Sequence, residues 1–217
     1  MPDATREVRV NRKEHWETVY RTKRPSEVSW YQAEATLSLR LIREVAPGQD
    51  AAILDVGGGA SVLTGQLALA GYSNLTVLDL SGAAIAAARS ALGVRAAGIR
   101  WIESDILAVA LPAASVDLWH DRAVFHFLTD PVEQAIYVRR ARQAVRHGGH
   151  LLVATFAEDG PTRCSGLDVR RYSAQELRDA FADGFAPVRA GHQEHGTPSG
   201  TIQAFTWCLF RRSAPAG

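Results

Sequence analysis

Cysteine is scarce: only Cys164 and Cys208 occur in 217 residues, far apart and in no CxxC pattern. That excludes a disulfide scaffold, and both are read as reduced thiols, with one long-range disulfide left open. Long hydrophobic runs are missing too. No stretch approaches the roughly 20 apolar residues that span a bilayer, and Met1 to Glu7 lack the apolar core of a secretory signal. Charge of one sign is lacking: 24 Lys and Arg face 23 Asp and Glu, a net charge of +1. No broad electrostatic drive toward nucleic acid or a membrane follows, only a local patch at most. No GxxxxGK[ST] occurs, so a P-loop is excluded. His192 and His195 invite a metal reading, but strand residues three apart face opposite sides, and no metal is expected there. These absences point to a cytoplasmic protein. The sequence shows no repeat, low-complexity tract or linker, so one domain is expected over 1–217.

What is there suits a globular fold: 47% of residues are apolar and 22% charged. Residues 1–10 are polar and expected to fray. A short helix is expected over Asn11 to Arg21, then the aromatic segment Val28-Ser29-Trp30-Tyr31-Gln32, then a helix ending at Pro47-Gly48. Strands are expected at Ala52–Val56, Asn74–Leu80, Ile99–Glu103, Ser115–His120 and Leu151–Phe156. Helices intervene, with Ser81, Asp130 and Ser173 as caps. Two late strands, Ala186–Ala190 and Ile202–Phe210, form an antiparallel hairpin. Alternation of this kind predicts an α/β fold: a Rossmann-like, doubly wound, mostly parallel sheet, with residues 1–48 as a helical lid over a core at 49–217.

The chain is organised around Ile53-Leu54-Asp55-Val56-Gly57-Gly58-Gly59-Ala60-Ser61. It reads as strand, glycine turn and helix, the signature of a nucleotide-like cofactor site. Asp55, Asp79 and Asp105 each close or follow a strand, so the topology brings them to one sheet edge. Asp79 falls 20 residues past Gly59, the spacing at which an acid meets a ribose diol. A dinucleotide fingerprint would need glycine where Val62 stands. A cofactor with a ribose and base but no phosphate remains.

These motifs, with Val77-Leu78-Asp79-Leu80-Ser81 and Glu103-Ser104-Asp105-Ile106, resemble the successive cofactor motifs of class I S-adenosylmethionine-dependent methyltransferases. The resemblance covers residues 50–156 and implies a seven-stranded sheet closed by the hairpin. It implies that Gly57, Gly58 and Gly59 pass under the methionine and ribose of S-adenosylmethionine. Asp79 would bind the ribose, Leu80 and Ile106 would flank the adenine, and Asp105 would accept from its amino group. Backbone near His120 and Asp121 would hold the methionine amino group. Asp55 either contacts the cofactor or orients backbone amides. The product would be S-adenosylhomocysteine.

Attack on a sulfonium methyl is an in-line displacement, helped by a dry site that holds the nucleophile in place. After the fourth strand, Asp121 and His126 are expected nearest the acceptor, with Arg122 as anchor or structural partner. Trp30 and Tyr31 either close over the sulfonium or pack in the core. Arg163 either binds an acidic substrate or is simply solvated. Ser29 to Gln32, Asp121 to Leu128 and Arg171 to Ser173 look like a bacterial branch of small methyltransferases, loosely similar to protein lysine methyltransferases. With no inserted cap domain, a fairly open cleft is expected. The acceptor is then a protein lysine or a small molecule, methylated on N, O or S. A non-catalytic module that only binds the cofactor is the third reading.

Overall fold

The computed structural model describes residues 11–214, so the expected fraying of 1–10 lies outside it. Five parallel strands form its centre: β1 (Ile53–Val56), β2 (Leu75–Asp79), β3 (Ile99–Glu103), β4 (Val116–Arg122) and β5 (Val145–Phe156). After a two-residue hairpin, β6 (Arg163–Cys164) and β7 (Leu167–Asp168), come the long strands β8 (Phe185–Gly196) and β9 (Ile202–Arg212). The sheet order is β3-β2-β1-β4-β5-β9-β8, with β9 antiparallel to both its neighbours. This is the expected seven-stranded, mostly parallel Rossmann-like sheet with its antiparallel hairpin.

The helices are α1 (Arg12–Thr22), α2 (Thr36–Val45), α3 (Leu63–Leu69), α4 (Gly82–Leu92), α5 (Pro131–Ala144) and α6 (Ala174–Ala180). Their starts follow the local chemistry of the chain. The Ser81 hydroxyl accepts from the Ala84 amide, and the Asp130 carboxylate accepts from Val132 with Pro131 at the first helical position. Ser173 and Glu176 close a reciprocal capping box. Among the described residues no helix is long and apolar enough to cross a membrane.

Strand alternation splits the core into two layers. Trp119, Phe125, Tyr137, Phe181 and Phe210 pack on the face covered by α5 and α6. Leu41, Ile42, Leu63, Leu67, Leu118 and Phe205 pack on the face covered by α2 and α3. Burying each such side chain stabilises the fold by about 1.5–3 kcal/mol.

Three local expectations change. Helices do not alternate with strands throughout, because residues 104–115, between β3 and β4, are turns without an α-helix. β5 begins at Val145, taking Gly148 and Gly149 into the strand; Val145 pairs with Val116 across a register shift that the positive φ of Gly148 (76°) accommodates. β4 runs two residues past His120, to Arg122. That last difference decides the site, because it puts Asp121 and Arg122 on opposite faces of a strand rather than together in a loop.

Candidate active site

The strand order reverses between β1 and β4, the place where an open α/β sheet binds ligands beyond its strand ends. Two adjoining cavities of about 110 and 50 Å³ lie there, sharing Tyr20, Trp30, Val56, Gly57 and Arg122. Asp79, Leu80, Asp105 and Ile106 line the first cavity. Asp55, Gly58, His120, Ser38 and Tyr31 line the second.

Gly57 has φ 67°, and a Cβ there would stand 2.1 Å from Val124 Cγ2. Only glycine turns the chain this close to the loop after β4. Gly59 lines neither cavity. A Cβ on it would meet Ala84 and the Asp79 carboxylate, each at 2.7 Å. It sits behind the turn, packed against Ala84 and Asp79. Its amide donates to Asp79 Oδ2 at 3.0 Å, and the Ser81 amide donates to Asp79 Oδ1 at 2.8 Å. Burial lifts the Asp79 pKa to about 6 against the pull of those amides. Each oxygen keeps a lone pair for a hydroxyl on the cavity side. Asp105 Oδ1 accepts from the Leu107 amide at 2.8 Å, which fixes the carboxylate at the cavity wall.

In the second cavity, Asp55 does more than end a strand. Its Oδ1 lies 2.7 Å from His120 Nδ1, and its Oδ2 accepts from the Thr64 hydroxyl at 3.1 Å. His120 Nε2 lies 2.9 Å from Ser38 Oγ. With Nδ1–H donating to the Asp55 carboxylate, Nε2 is left to accept from the Ser38 hydroxyl. This buried chain joins β1, β4 and α2. Nothing in the sequence marked Ser38, a lone serine in an amphipathic helix.

Aromatic rings roof the first cavity. Trp16 packs on Trp30 at 5.5 Å and on Phe127 at 5.1 Å between centroids, and the Trp30 indole donates to the Tyr20 hydroxyl at 3.2 Å. α1 is tied across the sheet edge to both sides. The Gly82 amide donates to Glu17 Oε1 at 2.6 Å, and Arg12 pairs with Glu133. Trp16 and Tyr20, four apart, were legible as a helical face. Where that face docks was not, since no local pattern specifies a partner so distant in sequence. Trp30 and Tyr31 do reach the site: Trp30 lines both cavities and Tyr31 the second.

The expected acceptor-side residues are where the structure departs most from the sequence. Asp121 is fully buried and lines neither cavity. It faces α5, accepting from the Tyr137 hydroxyl and from the amides of Val124 (2.8 Å) and Phe125 (3.0 Å). Burial pushes its pKa up to about 6, with the Tyr137 bond opposing. His126 is also fully buried, outside both cavities, with Nδ1 accepting from the Phe156 amide at 3.2 Å. Burial, aided by the nearby Arg122 charge, pushes it down to about 3, so it stays neutral in the working range. Both hold the turn that carries Val124 and Phe127 to the cavity, and neither lines either cavity. Arg163 is exposed, paired with Asp168 at 3.0 Å and bonded to the Gly166 carbonyl, away from the cavities. Cys164 does line the first cavity; burial raises its thiol to about 11, which keeps it unreactive. His195 bonds the Ser29 carbonyl at 2.8 Å, and His192 stands near Asp159. Among the described residues no three metal-ligating side chains cluster.

Many solved structures share this fold. One, from work on the conversion of a disulfide bond into a thioacetal group during echinomycin biosynthesis, is 21% identical over 94% of both chains, with a TM-score of 0.77. The Burkholderia thailandensis 1,6-didemethyltoxoflavin N1-methyltransferase, solved with 1,6-didemethyltoxoflavin and S-adenosylhomocysteine, is 20% identical over 99% of this chain and 92% of its own, with a TM-score of 0.73. The N-methyltransferase NodS from Bradyrhizobium japonicum WM9, with S-adenosylhomocysteine, is 19% identical over 82% of this chain and 87% of its own, with a TM-score of 0.64. At these identities the likeness shows a shared fold. No curated protein sequence matches significantly. A family model described as a methyltransferase domain matches residues 54–153. That match and the shared fold support a place in the class I S-adenosylmethionine-dependent methyltransferase superfamily.

The residues of the two cavities fit S-adenosylmethionine. The glycine turn borders both cavities at Gly57, and a buried carboxylate, Asp79, faces a cavity flanked by Leu80 and Ile106. The matched segment holds the glycine turn, Asp79, Asp105 and β4, but not α1 or β9, which complete the walls.

Proposed function

We propose that this methyltransferase acts on a small-molecule acceptor enclosed beneath its N-terminal segment. The aromatic roof carries this reading. Trp16, Tyr20, Trp30 and Phe127 cover the cavity, and the helix bearing two of them is tied to α4 and α5. The expected open cleft is thereby replaced by a covered one: α1 does the work of an inserted cap. A protein segment would need an uncovered groove to run through. The structural neighbour that binds 1,6-didemethyltoxoflavin supports the same reading. The segment up to residue 48 acts as the lid and the chain from 49 as the core. The free Cys164 and Cys208 agree with a reducing, cytoplasmic setting.

In this reading Asp79 holds the ribose, Leu80 and Ile106 flank the adenine, and Asp105 meets its amino group. Gly57 and Gly58 bear the methionine end, beside backbone at His120. Asp55 acts through His120 and Ser38 rather than alone. The bound cofactor supplies a methyl group activated by a sulfonium. The protein's contribution is positioning and exclusion of water: the ring faces of Trp30 and Tyr20 favour a cation, and the closed roof keeps the site dry. With Asp121 and His126 turned away, the acceptor supplies its own nucleophile, a neutral amine or an already ionised group.

The test is transfer of label from methyl-labelled S-adenosylmethionine into a cell extract, separated into proteins and metabolites. Label is expected in the metabolite fraction and to depend on the enzyme. Label in protein alone would overturn the small-molecule reading in favour of a protein lysine. No transfer, with cofactor binding intact by calorimetry, would leave a binding module.

A further inference from the structure

Arg122 is a cavity residue whose charge no side chain of the described residues answers. It ends β4 on the same face as His120 and borders both cavities. One of its nitrogens, Nη1, donates to the Trp30 carbonyl at 3.1 Å, and the guanidinium lies over the Phe205 ring, 4.4 Å from its centroid. The other edge, Nε and Nη2, is buried and has no protein partner. No carboxylate of the described residues lies within ion-pair distance of it. The ionisable groups that feel its charge, His126, His195 and Cys164, are held in their uncharged forms by burial.

A guanidinium taken out of water costs several kcal/mol unless it is paired. Removing the charge would be the cheap solution, yet the chain places an arginine here, packed between an aromatic ring and a backbone carbonyl that fix its plane. Two parallel N–H bonds then present a fork of the geometry that a carboxylate accepts. Trp30 and Phe205 touch the guanidinium, and its charge reaches Cys164, His126 and His195; none of these belongs to the three cofactor motifs. We propose that the acceptor of this methyltransferase is an organic acid, whose carboxylate pairs with the Nε–Nη2 edge of Arg122 while its apolar body lies under the aromatic roof. The inference rests on the small-molecule reading above and names the class of molecule. It also moves the acid-recognising role from Arg163, which is solvated, to an arginine whose fork is already oriented.

The competing occupant is the carboxylate of the cofactor itself, since Arg122 also borders the second cavity. Calorimetry on protein saturated with S-adenosylhomocysteine separates the two. Benzoate serves as the probe and benzamide as its uncharged counterpart of the same shape. Benzoate is expected to bind at least about tenfold more tightly than benzamide, the ratio of a charge-assisted pair to a neutral one. Arg122→Met should abolish that preference and leave S-adenosylhomocysteine affinity close to that of the wild type. Arg122→Lys keeps the charge without the fork, and should keep only part of the preference. It also serves if the methionine variant fails to fold, which thermal melting would reveal. Equal binding of benzoate and benzamide to the wild type would overturn the proposal. A tenfold or greater loss of S-adenosylhomocysteine affinity in a folded Arg122→Met, or in Arg122→Lys, would overturn it in favour of the cofactor's carboxylate. If the wild type binds no S-adenosylhomocysteine at all, the cofactor assignment fails instead. The benzoate and benzamide comparison on unloaded protein then still decides the anion site.

Discussion

Asp79 combines two duties at one residue: it anchors the amides of Gly59 and Ser81, and it presents a carboxylate to the cavity. Its pKa near 6 gives the ribose role a pH signature. Above pH 6 the ionised group accepts from hydroxyls; below it a proton occupies the carboxylate and weakens that acceptance. S-adenosylhomocysteine affinity should therefore fall as the pH is lowered from 7.5 to 5. Asp79→Asn should bind about tenfold more weakly at pH 7.5, with a flat profile. A flat wild-type profile with the fold intact by circular dichroism would count against the ribose role. At Asp121 the expectation is structural. Asp121→Asn keeps one acceptor oxygen and sets an NH2 against a donor at the other position, so it should lower stability while turnover and cofactor affinity of the folded protein stay near wild type. Asp121→Ala strands the Tyr137 hydroxyl and two amides, and should cost about 3 kcal/mol in urea denaturation. Loss of turnover in Asp121→Asn with normal cofactor binding would restore a catalytic role. Residue types were legible in this loop, but their directions were not. Two residues of extra strand turned Asp121 toward α5 and Arg122 toward the cavity.

At the scale of the element, α1 is the part that the site depends on and the core does not. It contributes one buried residue, Val19, and otherwise lies across the strand ends through Trp16, Tyr20, Glu17 and Arg12. Surface ion pairs hold such a helix weakly, and the aromatic contacts carry more of the docking. A helix docked this way opens at lower cost than the sheet unfolds. Trypsin should therefore cut after Arg21 and Lys23, exposed at the end of α1, before it cuts within the sheet, and S-adenosylhomocysteine should slow that cleavage. Trp16→Ala should remove the ligand's protection while leaving the melting temperature within a few degrees. Cleavage unaffected by ligand in the wild type would argue against a lid. The helix itself could be read from its aromatic spacing and its Asn11 cap, whose side chain accepts from the Glu14 amide. The tight β4 to β5 pairing and the extension of β8 to Gly196 could not, since each is set by cross-strand partners rather than local propensity.

For the whole molecule, the buried titratable groups oppose one another. His126 is held near 3 in the fold and near the ordinary value of about 6.5 when unfolded. The unfolded chain takes that proton first, so this contribution to stability is lost as pH falls from 6.5 toward 3. Asp79 and Asp121 are raised to about 6 in the fold, so their burial penalises stability above pH 6 and is relieved as pH falls toward about 4. His126→Phe removes only the first effect. Its melting temperature relative to wild type should rise as the pH is lowered from 7 to 4.5, whatever the offset at pH 7; a constant difference would mean that His126 is not held neutral by burial. The order of strands, the glycine turn, the acids at Asp79 and Asp105 and the helix caps were determined by the sequence alone, because each depends on contacts a few residues apart or on strand ends that one topology brings to the same edge. Only the tertiary structure decided what covers that edge and which charge is left facing it. The roof of Trp16, Tyr20 and Trp30, the chain from Asp55 through His120 to Ser38, and the open fork of Arg122 all join elements far apart in sequence. Their geometry follows from side-chain packing across the sheet, which no local pattern encodes.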